Sequence, residues 1–587
     1  MKTPRSFLAV PAVLAVLCAA VPASAAEAPR RPELTACTEP GAPAGALCGT
    51  YEVFENRATR TGRKIPLRIL VLPATGPAGQ RLSDPITYFA GGPGAASIPE
   101  GVYFAQQLAS VRQKRDVLLV DLRGTGLSGG LFCPELQGSQ GVQGFLDNFL
   151  PTEKIHACRD RLKKEVDLAW YTTDAAIDDI EEVRQALGYG PLNLMGGSYG
   201  TRAVQTYLRR HPQSVRTATM LGVVTPGELY PLGLARATQK ALDGWIAECE
   251  ADAACHGAFP KLRQEVEAVL RRVATDPVRV ELTDPETGAP FELRLGQRGV
   301  AQTLRYMLYS TGEAVLLPLT VHQAAQGNWK PLAQSAYLHG GTMGSSADGF
   351  YQSVTCAEDV AFVREEEIAP AVAGTFLGDF RIRQQKAACE GWPTRDLGPE
   401  SRTPVVSAVP ALLISGERDP ATPAENGETV VRTLERGRHV VIADAGHSSN
   451  GMSGNDCLFG RVAAFIEAGA AEGLDTSCIA QMRRPDFILS FGDPEVTVAK
   501  ADLERLAGSY VDKESGLTAE VDLVGSRLRM TFSDGFRILL IPASPTRFRM
   551  EGVGPGNLVA FRGNGGKAGE LTLSRPGEPE LMLKRLE

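Results

Sequence analysis

Gly196-Gly197-Ser198-Tyr199-Gly200 places a serine hydroxyl between glycines at the spacing of a G-x-S-x-G nucleophile elbow. Such a serine can attack a carbonyl carbon if a base takes its proton and an acid orients that base. The same spacing recurs at Gly126-Leu127-Ser128-Gly129-Gly130, so context has to separate the two. Ser198 directly follows the apolar run 192–195 and directly precedes a helical stretch, which puts its hydroxyl on a tight strand-to-helix turn. Ser128 lies several residues past its apolar run, and no helical pattern follows it. Ser198 is therefore the expected nucleophile.

Among the seven histidines, His447 alone follows a late apolar run on a glycine-flanked loop, Asp444-Ala445-Gly446-His447. Asp419 stands on the loop after the run 411–415, in Gly416-Glu417-Arg418-Asp419-Pro420, with one helix and one strand separating it from His447. Serine, acid and histidine follow one another in that order, with Glu417 and Asp444 as rival acids. An oxyanion needs two backbone N–H groups aimed at one point. Tyr199, after the nucleophile, supplies one, and Gly92 in Gly91-Gly92-Pro93-Gly94 supplies the other. Asp121 and Arg123, in the loop 121–128, read as structural ties around the site.

These residues need a scaffold. From about 50 to 225, short apolar runs at 66–72, 86–90, 116–121 and 192–195 alternate with helical stretches such as 174–187, where Ile177, Ile180, Val183 and Leu187 share one stripe. That rhythm implies a parallel sheet covered on both faces. It breaks over 226–403, where amphipathic helices at 234–249 and 261–273 and a hairpin around Thr287-Gly288 read as an inserted cap. It returns over 404–485. After that, runs at 519–523, 528–532, 537–541, 547–550, 558–561 and 570–573 indicate a small all-β barrel or sandwich within 497–587. The expected fold is an α/β-hydrolase core, 26–225 and 404–485, interrupted by a mostly helical cap and followed by a β domain.

The Gly-Gly-Pro-Gly loop at 91–94, Asp-x-Arg-Gly-x-Gly-x-Ser at 121–128 and Gly-Gly-Ser-Tyr-Gly-Thr at 196–201, with Asp419-Pro420-Ala421-Thr422-Pro423 and Gly446-His447, resemble the prolyl and tripeptidyl aminopeptidase branch of the α/β-hydrolases over roughly 48–480. Ala90 stands where prolyl aminopeptidases carry histidine. The resemblance implies a serine exopeptidase with no cofactor and with Ser198, Asp419 and His447 as its triad. An aminopeptidase must also neutralise the substrate's α-amine. Glu358, with Asp359 beside it in Cys356-Ala357-Glu358-Asp359, is the expected partner.

Hydrophobic residues at 43% and charged residues at 22% of 587 exclude a disordered chain, and a formal charge of −7 argues against a nucleic-acid partner. No Cys-x-x-Cys pair suggests a metal. Lys2 and Arg5, the apolar stretch 7–20 and Ala23-Ser24-Ala25 read as a cleavable export signal over 1–25, broken by Pro11 and Pro22 and so unsuited to anchoring in a membrane. The expected location is secreted or periplasmic. Oxidation there pairs neighbouring cysteines as Cys37–Cys48, Cys133–Cys158, Cys249–Cys255, Cys356–Cys389 and Cys457–Cys478. The leading function is an aminopeptidase acting on peptides through an acyl-enzyme. An esterase of small acyl esters is the alternative, and a non-catalytic binding protein comes third. The β domain, with no histidine after His447, is an accessory module of unassigned ligand.

Overall fold

A computed structural model describes residues 31–38, 42–136, 141–341, 346–492, 494–512, 517–533, 535–563, 566–575 and 580–586. The expected export signal, 1–25, lies outside the described residues.

The core is a nine-stranded sheet. In chain order its strands are β1 (Thr35–Ala36), β2 (Leu47–Phe54), β3 (Lys64–Leu72), β4 (Leu82–Phe89), β5 (Arg115–Val120), β6 (Leu192–Gly197) and β7 (Val215–Leu221). A cap hairpin, β8 (Val278–Thr283) and β9 (Pro290–Leu295), intervenes before β10 (Ala411–Gly416) and β11 (Gly437–Ile442) complete the sheet. The spatial order is β1-β2-β3-β5-β4-β6-β7-β10-β11. Pairs from β5 to β11 are parallel, and β1–β2, β2–β3 and β3–β5 are antiparallel. Near-continuous apolar runs suit strands covered on both faces. On one face the stripe Ile177, Ile180 and Val183 of the helix Thr173–Leu187 packs with Ala203, Val204 and Tyr207 of Tyr199–Arg210. On the other, Ala105 and Leu108 pack with Leu458, Val462 and Phe465 of Asn455–Ala468.

Between β7 and β10 the chain forms a cap of helices with its own core around Trp245, Leu304 and Leu317. The helix Gly141–Asp147 lies in the stretch expected to be sheet core. It packs on the cap instead: Leu146 joins the cap core, and Phe145 meets Tyr306. Cap and sheet are thus tied together by a segment that precedes the insertion.

The C-terminal unit is a closed barrel of eight antiparallel strands, β12 (Gly508–Val511), β13 (Thr518–Val524), β14 (Arg527–Phe532), β15 (Arg537–Pro542), β16 (Arg547–Met550), β17 (Leu558–Arg562), β18 (Glu570–Ser574) and β19 (Leu581–Arg585). The six sequence runs correspond to β13–β18. The strands they missed, β12 and β19, are short and pair with each other to close the barrel. Tyr510, Leu528, Met530, Phe548 and Val559 are fully buried and fill its interior. The barrel docks on the cap through Gln334 to Glu551 at 2.6 Å and Arg529 to the carbonyls of Pro285 and Glu286.

Disulfides join each of the five expected neighbour pairs. Cys356–Cys389 staples two cap helices, Asp348–Glu358 and Phe380–Cys389. Among the described residues no helix is long and apolar enough to cross a membrane. The disulfides fit a protein that works outside the cytoplasm.

Candidate functional site

Ser198 caps the helix Tyr199–Arg210 at φ 54° and ψ −124°, a conformation non-glycine residues rarely adopt. Such strain costs on the order of 1–3 kcal/mol and persists only where the surroundings impose it. The flanking glycines show how. A Cβ on Gly200 would lie 2.0 Å from the Phe89 carbonyl oxygen, and one on Gly196 would lie 2.4 Å from that of Gly200. The turn is held by the Ser198 N–H donating to the Leu221 carbonyl at 2.8 Å and by Thr201 Oγ1 donating to the Ser198 carbonyl at 2.7 Å.

The rival Ser128 does something else. It is fully buried, and its Oγ accepts the Arg68 N–H at 2.8 Å. Its loop is structural throughout: Asp121 accepts the N–H groups of Ile98 and Leu127, and Arg123 pairs with Asp179 at 2.6 Å.

Asp419, with its side chain fully buried, accepts His447 Nδ1–H at 2.8 Å through Oδ2. Its carboxylate also accepts the N–H groups of Ala421 and Thr422 at 2.8 Å each and the Thr422 hydroxyl at 2.7 Å. The same hydroxyl oxygen is 3.1 Å from His447 Nδ1. The rival acids point elsewhere. Asp444 pairs with Arg418 at 3.0 Å, and Glu417 accepts the Asp444 N–H. Glycines again permit the approach, since a Cβ on Gly416 would lie 1.9 Å from the Gly446 carbonyl oxygen. Tyr309 from the cap meets the His447 ring edge to face at 5.0 Å.

Ser198, His447, Gly91 and Gly92 line one cavity of about 1120 Å3 between sheet and cap. A Cβ on Gly91 would lie 3.2 Å from Ser198 Cβ, so the glycine loop runs against the nucleophile. Gly92 takes φ 111°, open to glycine alone. Tyr199 begins the helix, where first-turn N–H groups have no intrahelical acceptor.

Glu358 and Asp359 are not at this cavity. Glu358 accepts the Thr173 N–H at 2.7 Å and the Thr173 hydroxyl at 2.8 Å, and Asp359 pairs with Arg202 at 2.8 Å. Arg202 also approaches Glu358 at 3.5 Å. Glu358, Asp359 and Arg202 are not among the residues lining the cavity, and burial pushes the Glu358 carboxyl up to about 7. The expected amine partner is corrected accordingly: its acids are committed to Arg202 and Thr173.

Among the described residues, the carboxylates lining the cavity are Glu100 and Asp348. Glu100 accepts the Tyr88 hydroxyl at 3.0 Å and the Gly91 backbone N–H, and burial raises its pKa against the opposing pull of His447. Burial likewise pushes Asp348 up to about 6. Sequence reading missed these two, along with Thr422 and the cap's Tyr309.

A parallel sheet with a strained serine elbow after one strand, an acid after a later strand and a histidine after the last defines an α/β-hydrolase. The family model described as alpha/beta hydrolase fold matches residues 84–256, and that described as TAP-like protein matches 374–478. Serine protease Hip1 of Mycobacterium tuberculosis (strain ATCC 25618 / H37Rv) is 26% identical over 477 residues, covering 74% of this chain and 88% of its own. Tripeptidyl aminopeptidase of Streptomyces coelicolor (strain ATCC BAA-471 / A3(2) / M145) is 22% identical over 473 residues, covering 73% and 82%. The putative hydrolase YuaR of Escherichia coli (strain K12) is 29% identical over 219 residues, covering 36% and 43%. The chain has the α/β-hydrolase fold, and over 374–478 it is similar to TAP-like proteins.

Proposed function

We propose that the protein is an exported serine peptidase that releases N-terminal residues or short peptides through an acyl-enzyme. The observation that carries this reading is the 2.8 Å contact of Asp419 with His447 at a cavity that Ser198 also lines. Ser198 Oγ attacks the scissile carbonyl as His447 Nε2 takes its proton, and Asp419 holds the imidazole and stabilises the cation that forms. The tetrahedral oxyanion is met by the N–H groups of Tyr199 and Gly92, each such donor contributing about 10²–10³ in rate. His447 then protonates the leaving amine, and water admitted to the cavity repeats the cycle on the acyl-enzyme. The relatives' names, a serine protease and a tripeptidyl aminopeptidase, favour a peptide over a simple ester. A free α-amine entering the cavity meets Glu100 and Asp348, the carboxylates that line it. Export is supported by the stapled cysteines and by the basic, then apolar, then small-residue order of 1–25.

The test is hydrolysis of matched tripeptide anilides, free and N-acetylated, beside a nitrophenyl ester, by wild type and Ser198→Ala. Faster cleavage of the free-amine peptide, lost in the variant, is expected. Equal rates on free and blocked peptides would overturn exopeptidase action, and turnover of the ester alone would make the enzyme an esterase.

A further inference from the structure

Five arginines are buried among the described residues: Arg115, Arg123, Arg202, Arg305 and Arg381. A buried guanidinium needs compensation, because an unpaired buried charge costs several kcal/mol. Three have a carboxylate. Arg115 pairs with Asp84 at 2.9 Å, Arg123 with Asp179 at 2.6 Å and Arg202 with Asp359 at 2.8 Å. Arg305 and Arg381, 4% and 5% exposed, have none among the described residues, and both line the catalytic cavity from the cap.

Their surroundings are neutral. Arg305 Nη2 donates to the hydroxyls of Tyr230 and Tyr309, and its guanidinium lies over the rings of Tyr306 and Tyr309 at 4.8 and 4.9 Å. Its Nε is buried with no hydrogen-bond partner. Arg381 donates to Gln385 and Tyr351 and stacks over Phe149 at 4.5 Å. Ring faces and hydroxyls hold a cation in place, but they do not neutralise it. Arg305 is one ring from the chemistry, since Tyr309 carries it on one side and meets His447 on the other.

We propose that Arg305 and Arg381 form a carboxylate-binding subsite in the cap wall of the catalytic cavity, so that the preferred substrate is a peptide bearing a carboxylate. This rests on the peptidase reading for its substrate class. The planar fork of guanidinium matches a carboxylate's two oxygens, and the pairing gains strength where water is excluded. The carboxylate comes from an acidic side chain or from the C-terminus of a short free peptide. In either case the substrate supplies the anion that the fold leaves out.

Ser198→Ala protein titrated calorimetrically with Ala-Ala-Ala-Ala as free acid and as C-terminal amide, and with Ala-Ala-Glu-Ala-amide and Ala-Ala-Gln-Ala-amide, tests this without turnover. In at least one pair the acid is expected to bind tenfold or more tighter, and that ratio is expected to fall toward one in Arg305→Met and Arg381→Met. Arg305→Lys is expected to keep part of it. Equal affinity for acid and neutral partner in both pairs would overturn the subsite, as would a preference that survives in both methionine variants. The pair that discriminates identifies the source of the carboxylate. If Arg305→Met does not fold, the unmodified cap and Arg381→Met still decide. Failure of the peptidase reading would show separately, as wild type that binds these peptides and cleaves none.

Discussion

Asp419 Oδ2 receives the Nδ1–H of His447 at 2.8 Å although 28 residues separate them. Parallel pairing of β10 with β11 brings the two loops to one edge of the sheet, and β6, two strands away across β7, delivers Ser198 to the same edge. The convergence of these three residues is a consequence of strand order. Ser198→Ala and His447→Ala should each fold and lose about 10³–10⁶ in kcat, and the double variant should lose no more than either alone. Steady-state kinetics on one peptide anilide checks this, and additive losses would mean that the residues do not act together.

Ser128→Ala separates the two elbow motifs. The buried Ser128 hydroxyl accepts the Arg68 N–H, so the variant should lose about 1–3 kcal/mol of stability with kcat retained. Denaturant unfolding and kinetics on the same preparation decide. Loss of turnover in a protein of full stability would reassign the nucleophile.

Thr422 holds the Asp419 carboxylate at 2.7 Å, and its oxygen is 3.1 Å from His447 Nδ1. Thr422→Val removes the donor and frees the carboxylate to turn. A hydrogen bond to a charged group of about 1.5–3 kcal/mol converts to a loss of roughly 10- to 100-fold in kcat. Thr422→Ser keeps the hydroxyl and should restore most of it. A serine variant as poor as valine would point to methyl packing instead.

Much of this was legible. Strand runs bounded by glycine or charge, and the elbow between strand and helix, fixed where Ser198, Asp419 and His447 would stand, because each depends on local pattern and chain order. The amine site was not legible. Glu358 and Asp359 looked available because sequence shows an acidic pair but not the Arg202 that packs against it from another element. Glu100, Arg305 and Arg381 carry no local signal, since only tertiary packing turns them toward one cavity. The first and last barrel strands were missed because they are only four and five residues long and pair with each other only when the barrel closes.

The Glu358 cluster predicts a pH dependence. Burial holds this carboxyl near 7 against an ordinary 4.5, so between those values the folded chain keeps a proton that the unfolded chain has lost. Its contribution to stability is therefore fullest below 4.5 and declines as pH rises through about 7. Relative to Glu358→Gln, wild type should lose on the order of 3 kcal/mol of unfolding free energy from pH 4 to pH 8. Glu358→Gln should also change peptide and ester hydrolysis in equal proportion. A selective loss on free-amine peptides would return Glu358 to amine binding.

The disulfides should matter to the exported form. Mass mapping of the mature protein is expected to find Cys37–Cys48, Cys133–Cys158, Cys249–Cys255, Cys356–Cys389 and Cys457–Cys478, and reductant should lower Tm. Titration of native, unreduced protein that returns near ten free thiols would contradict export into an oxidising compartment.

The central claim is that Ser198 is the activated nucleophile, and covalent trapping tests it most directly. A fluorophosphonate probe incubated with wild type, then digested and mapped, is expected to modify one site, the peptide carrying Gly196-Gly197-Ser198-Tyr199-Gly200, and to leave Ser198→Ala unlabelled. Labelling at another serine, or labelling undiminished in Ser198→Ala, would contradict it.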